Sequence, residues 1–96
     1  MAGYVQIVEF ETSDIKALQQ ALEQFRSEHP EVMRSLRTVI TEDRDRPGTF
    51  LSINEFESYE AAMEQSNNPL LSEFAQKMEQ MTGRRFRNLD VLAELT

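Results

Sequence analysis

The chain contains no cysteine and no tryptophan. The first absence excludes disulfide staples, thiolate zinc sites and cysteine nucleophiles. There is one histidine, His29, and a single imidazole among scattered carboxylates has no metal-ligand spacing. No window approaches 18 consecutive apolar residues, so no membrane span is expected. Positive charge is scarce: 10 Lys and Arg face 17 Asp and Glu, a formal net charge of −7. That field repels a phosphate backbone, and no basic stripe with interleaved aromatics offsets it, so nucleic acid is not an expected partner. Strand-like residues begin at Tyr4, which leaves no room for a signal peptide, and a cytoplasmic protein is expected. Linkers and low-complexity runs are absent too.

What is present is an ordinary globular composition, 40% hydrophobic and 28% charged over 96 residues. One domain spanning residues 1–96 is expected. A chain of this size buries only about 60–65% of its unfolded surface. A sheet face left apolar on the outside would therefore need a partner.

The chain repeats itself. Ile7-Val8-Glu9-Phe10-Glu11-Thr12 aligns with Ile53-Asn54-Glu55-Phe56-Glu57-Ser58 at an offset of 46 residues, with four of six positions identical. Each copy reads as a strand running into a helix start. Tyr4–Glu11 alternates as a strand. Thr12-Ser13-Asp14 offers N-cap oxygens to a helix whose stripe is Ile15, Leu18, Ala21, Leu22 and Phe25, ending near Glu28 because Pro30 disfavours helical geometry at His29. Arg34–Glu42 is the second strand, with Leu36, Val39 and Ile40 as its apolar content. Asp43-Arg44-Asp45-Arg46-Pro47-Gly48 is a hairpin turn leading to a strand over Thr49–Phe56. The second helical region is broken at Asn67-Asn68-Pro69. Its first part turns Tyr59, Ala62 and Met63 inward. Its second part carries Leu70, Leu71, Phe74, Ala75, Met78 and Met81, with Gly83 as a left-handed terminator. A last strand covers Arg84 to about Leu92. The order β-α-β-β-α-β is the ferredoxin-like plan, an α+β fold with a four-stranded antiparallel sheet.

Alternation sorts the strand residues into two faces. Val5, Ile7, Val39, Leu51, Ile53, Leu89 and Val91 are aliphatic and are expected beneath the helices. Tyr4, Gln6, Val8, Phe10, Leu36, Thr38, Ile40, Phe50, Ser52, Asn54, Phe56, Phe86, Asn88 and Asp90 mix aromatics with amides and hydroxyls. Buried amides need partners, and an exposed face does not usually carry four phenylalanines. A second subunit covering this face, with a cavity left between, would suit both groups; the alternative is a plain segregation into an apolar interface centre and a wet rim. Gln6, Ser52, Asn54 and Asn88 are the candidate ligand contacts, with Tyr4, Phe50 and Phe86 as apolar walls.

Other candidates have plainer readings beside them. His29 in Glu-His-Pro-Glu reads first as a solvated helix terminator. Glu9 and Glu55 are equivalent in the repeat and would form an acid–base pair if adjacent; pairing with arginine or water at strand ends is the simpler reading. Asp43 to Arg46 reads as a solvated hairpin. Arg84, Arg85 and Arg87 either attract an anionic ligand or, the favoured reading, pair with the acidic surplus. The methionines Met63, Met78 and Met81 read as adaptable core.

The element order, the length, the broken second helix and Asn67-Asn68-Pro69 followed by Leu71-Ser72-Glu73-Phe74-Ala75 resemble the dimeric α/β-barrel superfamily. Within it the chain is similar to the antibiotic biosynthesis monooxygenase-like group, from Tyr4 to about Leu92. The resemblance implies a homodimer whose two sheets form a barrel, with pockets between each sheet and its helices or within the barrel. The haem-degrading branch of that group relies on a first-strand asparagine with a tryptophan and a histidine in the second helical region. Here Gln6 is the nearest first-strand amide, tryptophan is absent and His29 follows the first helix, so haem degradation is disfavoured and no cofactor is expected. The resemblance implies a cofactor-independent monooxygenase-like enzyme acting on an aromatic or polyketide-like metabolite; the alternative is a non-catalytic dimer that binds a metabolite or a protein. In an enzyme, Asn54→Ala is expected to remove turnover and spare folding.

Overall fold

A computed structural model describes residues 3–77 and 82–95. Met78 and Met81 lie outside them. The elements are β1 (Tyr4–Glu11), α1 (Ile15–Glu28), β2 (Arg37–Glu42), β3 (Thr49–Phe56), α2 (Tyr59–Ser66), α3 (Pro69–Lys77) and β4 (Thr82–Asp90). The strands form one antiparallel sheet in the order β2-β3-β1-β4.

Helix ends follow their caps. Asp14 accepts the Ala17 amide at 3.1 Å, Ser58 accepts that of Ala61 at 3.1 Å, and Asn68 accepts that of Leu70 at 2.9 Å with Pro69 at the first helical position. In the first copy of the repeat, Thr12 does not cap: its Oγ1 accepts the amide of Asp14, two residues before α1. At the far end of α1 the His29 amide donates to Phe25 O at 2.8 Å, and the imidazole lies against the Phe25 ring, 5.0 Å between centroids. His29 is thus a helix terminator, with Glu31 3.6 Å from its Nδ1.

The repeat has a geometric meaning. Ile7 pairs directly with Ile53, so the two copies are related by a local dyad through the centre of the sheet. On one face, successive cross-strand rows are Tyr4–Phe56, Gln6–Asn54, Val8–Ser52 and Phe10–Phe50. Aromatic residues occupy both end rows, and small or polar residues occupy the middle. The helices pack on this face. Tyr4 and Phe56 form one cluster with Ala62 and Met63 of α2; Phe10 and Phe50 form another with Ile15, Leu18 and Leu22 of α1.

This reverses the expected assignment of faces. The β1 and β3 members of the mixed set lie under the helices, whereas Leu36, Phe86, Asn88 and Asp90 are exposed. Val5, Ile7, Val39, Leu51 and Ile53 lie half-buried on the open face, where no helix covers them among the described residues. The reason is side-chain size. Four rings at the ends of the mixed face offer the helices more area than aliphatic residues do. The same rings stand as pillars that hold the helices off its polar middle.

Other boundaries shift for local reasons. β2 starts at Arg37 because the amides of Arg34 and Ser35 are taken by Gln65 Oε1 at 2.6 and 3.1 Å, which leaves Leu36 exposed ahead of the strand. Tyr59 is exposed rather than inward, its ring edge-on to Tyr4 at 5.5 Å. Gly83 is left-handed as expected (φ 62°), but inside β4. Glu9 faces Arg85 and Glu11 faces Thr82, so Gly83 and Arg84 together stand opposite Phe10 in a β-bulge.

Candidate functional site

A cavity of about 720 Å³ lies between the middle rows of the sheet and helices α1 and α3. Its floor is Gln6, Val8, Thr38, Ile40, Ser52 and Asn54, with Arg84 and Phe86 from β4. The helical wall comes from Gln19, Leu22, Glu23 and Arg26 of α1, which fall at i, i+3, i+4 and i+7 and so share one helix face, and from Leu71, Phe74 and Ala75 of α3. Phe74 also meets Phe25 of α1, with ring centroids 4.8 Å apart.

The polar floor is a network. Asn54 Oδ1 accepts from Thr38 Oγ1 at 3.0 Å and Ser52 Oγ at 3.4 Å, while its Nδ2 donates to Gln6 O at 3.3 Å and Ser52 O at 3.5 Å. Thr38 Oγ1 is also 3.3 Å from Ser35 Oγ. Its single proton goes to Asn54, so the Ser35 hydroxyl is the donor of that second bond. Gln6 Nε2 donates to Asn88 Oδ1 at 3.2 Å. Among the described residues no side chain takes Gln6 Oε1 or Asn88 Nδ2, so this pair offers a free acceptor beside a free donor.

Of the seven residues singled out in the sequence, Gln6, Ser52, Asn54 and Phe86 line the cavity, and Asn88 is one hydrogen bond from it. Tyr4 and Phe50 do not line it: they are core members of the two aromatic pillars. Asn54 has its amide committed to internal bonds, so Asn54→Ala would disturb folding as well as any turnover and does not separate the two roles.

Sequence reasoning missed Gln65, which is buried, lines the cavity and fixes the entry to β2 through its two backbone bonds. Its signal was available, since it lies three residues after Ala62 on the inward face of α2. It also missed Arg26, the polar residue that follows Phe25 on the α1 stripe.

Three charged candidates resolve differently. Glu9 and Glu55 lie on the open face in rows 9–51 and 5–55. Four residues of strand separate these rows, about 13 Å, too far for a carboxylate pair. Glu9 instead meets Arg46 at 3.0 Å, and Arg46 also holds Asp43 at 3.1 Å. The Asp45 amide and the Arg46 side chain hold the Asp43 carboxyl below its ordinary range. Arg84, Arg85 and Arg87 form no ion pair among the described residues, contrary to expectation.

No protein-family profile and no curated protein sequence matches the chain. Solved structures do. A Deinococcus radiodurans protein of proposed antibiotic biosynthesis monooxygenase function superimposes with a TM-score of 0.74 at 16% identity, covering 97% of this chain and 96% of that one. SnoaB from Streptomyces nogalater, described as a cofactor-independent oxygenase, gives 0.77 at 9% identity, with coverage of 99% and 98%. The haem degrader MhuD from Mycobacterium tuberculosis, with two haems bound in its active site, gives 0.72 at 15% identity, with coverage of 97% and 99%. The resemblance to the antibiotic biosynthesis monooxygenase-like group is borne out at the level of the fold. That fold hosts different chemistries in these proteins, so function rests on the cavity itself.

Proposed function

We propose that the chain binds a small aromatic or polyketide-like metabolite in this cavity and oxidises it as a cofactor-independent monooxygenase-like enzyme, in a cytoplasmic homodimer. The observation that carries the reading is the pillared cavity: apolar groups of Leu22, Phe74, Val8 and Phe86 around the amides and hydroxyls of Gln6, Thr38, Ser52 and Asn54. Such a lining suits a planar ring system bearing carbonyl and hydroxyl groups, with Gln6 Oε1 and Asn88 Nδ2 as a donor–acceptor edge for them. The likeness to SnoaB supports the same reaction class. His29 is outside the lining, so reactivity would come from the substrate, as in oxygenation of an electron-rich phenol or enol.

Anthrone is a suitable test, because its enol form is electron-rich and its oxidation balances without a cofactor: one anthrone and one O2 give one anthraquinone and one water. The expected result is protein-dependent oxygen uptake matched by anthraquinone, reduced in Gln6→Ala with folding retained. No uptake above the buffer rate would remove this substrate class. The committed Asn54 amide favours a second reading, binding without turnover. A native mass spectrum showing a retained adduct in a protein that consumes no oxygen would establish it.

A further inference from the structure

Arg26 and Arg84 both line the cavity, one from the helical wall and one from the sheet floor, and neither forms an ion pair with a carboxylate among the described residues. Several other cations of this chain, Arg37, Arg44, Arg85 and Arg87 among them, also form no ion pair among the described residues; what sets Arg26 and Arg84 apart is that both line one cavity. Among the described residues the lining contains a single carboxylate, Glu23, three residues before Arg26 on α1 and not within ion-pair distance of it. The described lining residues therefore carry a net positive charge inside a protein of formal charge −7. Arg84 is also placed by a specific backbone device. The left-handed Gly83 forms the bulge opposite Phe10, and two residues later on the same face the Phe86 ring lines the cavity. β4 thus presents a cation, a ring and an amide, Arg84, Phe86 and Asn88, at spacings of about 7 Å.

We propose that the ligand of this cavity is an anion, a fused-ring aromatic carboxylate whose acid group is held by Arg84 or Arg26 while its rings lie against Phe86, Val8 and Leu22. The proposal rests on the aromatic-metabolite reading above and narrows its ligand class. A guanidinium suits this task because its planar fork can meet both carboxylate oxygens. Both residues are exposed, so each contributes modestly, as a partly screened pair does.

The test is a fluorescence titration with 2-anthracenecarboxylate and its methyl ester at low salt. The acid is expected to bind about fivefold or more tighter than the ester. Arg84→Gln or Arg26→Gln should abolish that preference, weakening binding of the acid more than that of the ester. Arg44→Gln, on the exposed hairpin, should leave the preference intact, and added salt should shrink it. Equal binding of acid and ester, or a preference that survives both cavity substitutions, overturns the anion proposal and leaves the aromatic cavity standing. Failure of both probes to bind overturns the cavity reading as well.

Discussion

Tyr4 is 3% exposed, and its hydroxyl has no hydrogen-bond partner among the described residues. A buried, unsatisfied hydroxyl costs about 1–3 kcal/mol. Tyr4→Phe keeps the ring against Phe56 and removes that cost, so it should stabilise the fold by about 1 kcal/mol in urea unfolding at pH 7, with an unchanged m value. The same hydroxyl gives a signed pH dependence. Burial first, then the nearby Tyr59 and Asp90, push its pKa above the ordinary 10.0. Below pH 10 both folded and unfolded chains keep this proton. As pH rises from 10 towards the folded value, the unfolded chain loses it first, so stability falls. Tyr4→Phe should lack that part of the alkaline slope; parallel stability curves for the two proteins above pH 10 would refute the assignment.

At the scale of elements, the sequence was most readable where a local chemical rule sets the structure. Asp14, Ser58 and Asn68 mark helix starts because their side chains bond amides two or three residues ahead. Alternation sorted β1 and β3 correctly for the same reason: pleating is local. Which face the helices cover is not local, because both faces carry enough apolar area. The answer lay in where the rings fall along the strands, and that emerges only when register pairs Tyr4 with Phe56 and Phe10 with Phe50. Gln65 was likewise invisible as a functional element, since its partners are backbone amides about 30 positions away. Gln65→Leu would leave the amides of Arg34 and Ser35 without their acceptor and should cost about 2 kcal/mol, read by thermal unfolding. It should also perturb Thr38 and Asn54 resonances through Ser35; spectra unchanged beyond residue 35 would break that chain. At Gly83 an added Cβ would meet nothing closer than 3.8 Å, so Gly83→Ala carries only the left-handed backbone cost of about 1–2 kcal/mol. A loss well beyond that would mean the bulge itself had been disrupted.

For the whole molecule, the principal extents of 35 × 33 × 19 Å describe one sheet layer and one helix layer. That leaves Val5, Ile7, Val39, Leu51 and Ile53 as a contiguous apolar area with water on it, together with the exposed Leu89. Cross-strand pairs of opposite charge, Glu9 with Arg85 and Glu55 with Arg37, lie towards its borders. An apolar centre with a charged rim is the anatomy of a protein interface, and a second copy offers the same centre and rim in return. The paired subunits would meet through this face, opposite to the one expected from the sequence, and each cavity would lie inside its own subunit. Ile53 is at the local dyad, in the centre of the area, so Ile53→Glu would place two carboxylates where the copies meet. The native chain should sediment as a dimer at micromolar concentration, with a melting temperature that rises with protein concentration. Ile53→Glu should sediment as a monomer. Because the cavity opens on the other side of the sheet, the variant should still bind 2-anthracenecarboxylate at native affinity where it remains folded. A native protein that sediments as a monomer would overturn the pairing, whereas a monomeric variant that has lost binding while folded would show that the cavity depends on the second subunit.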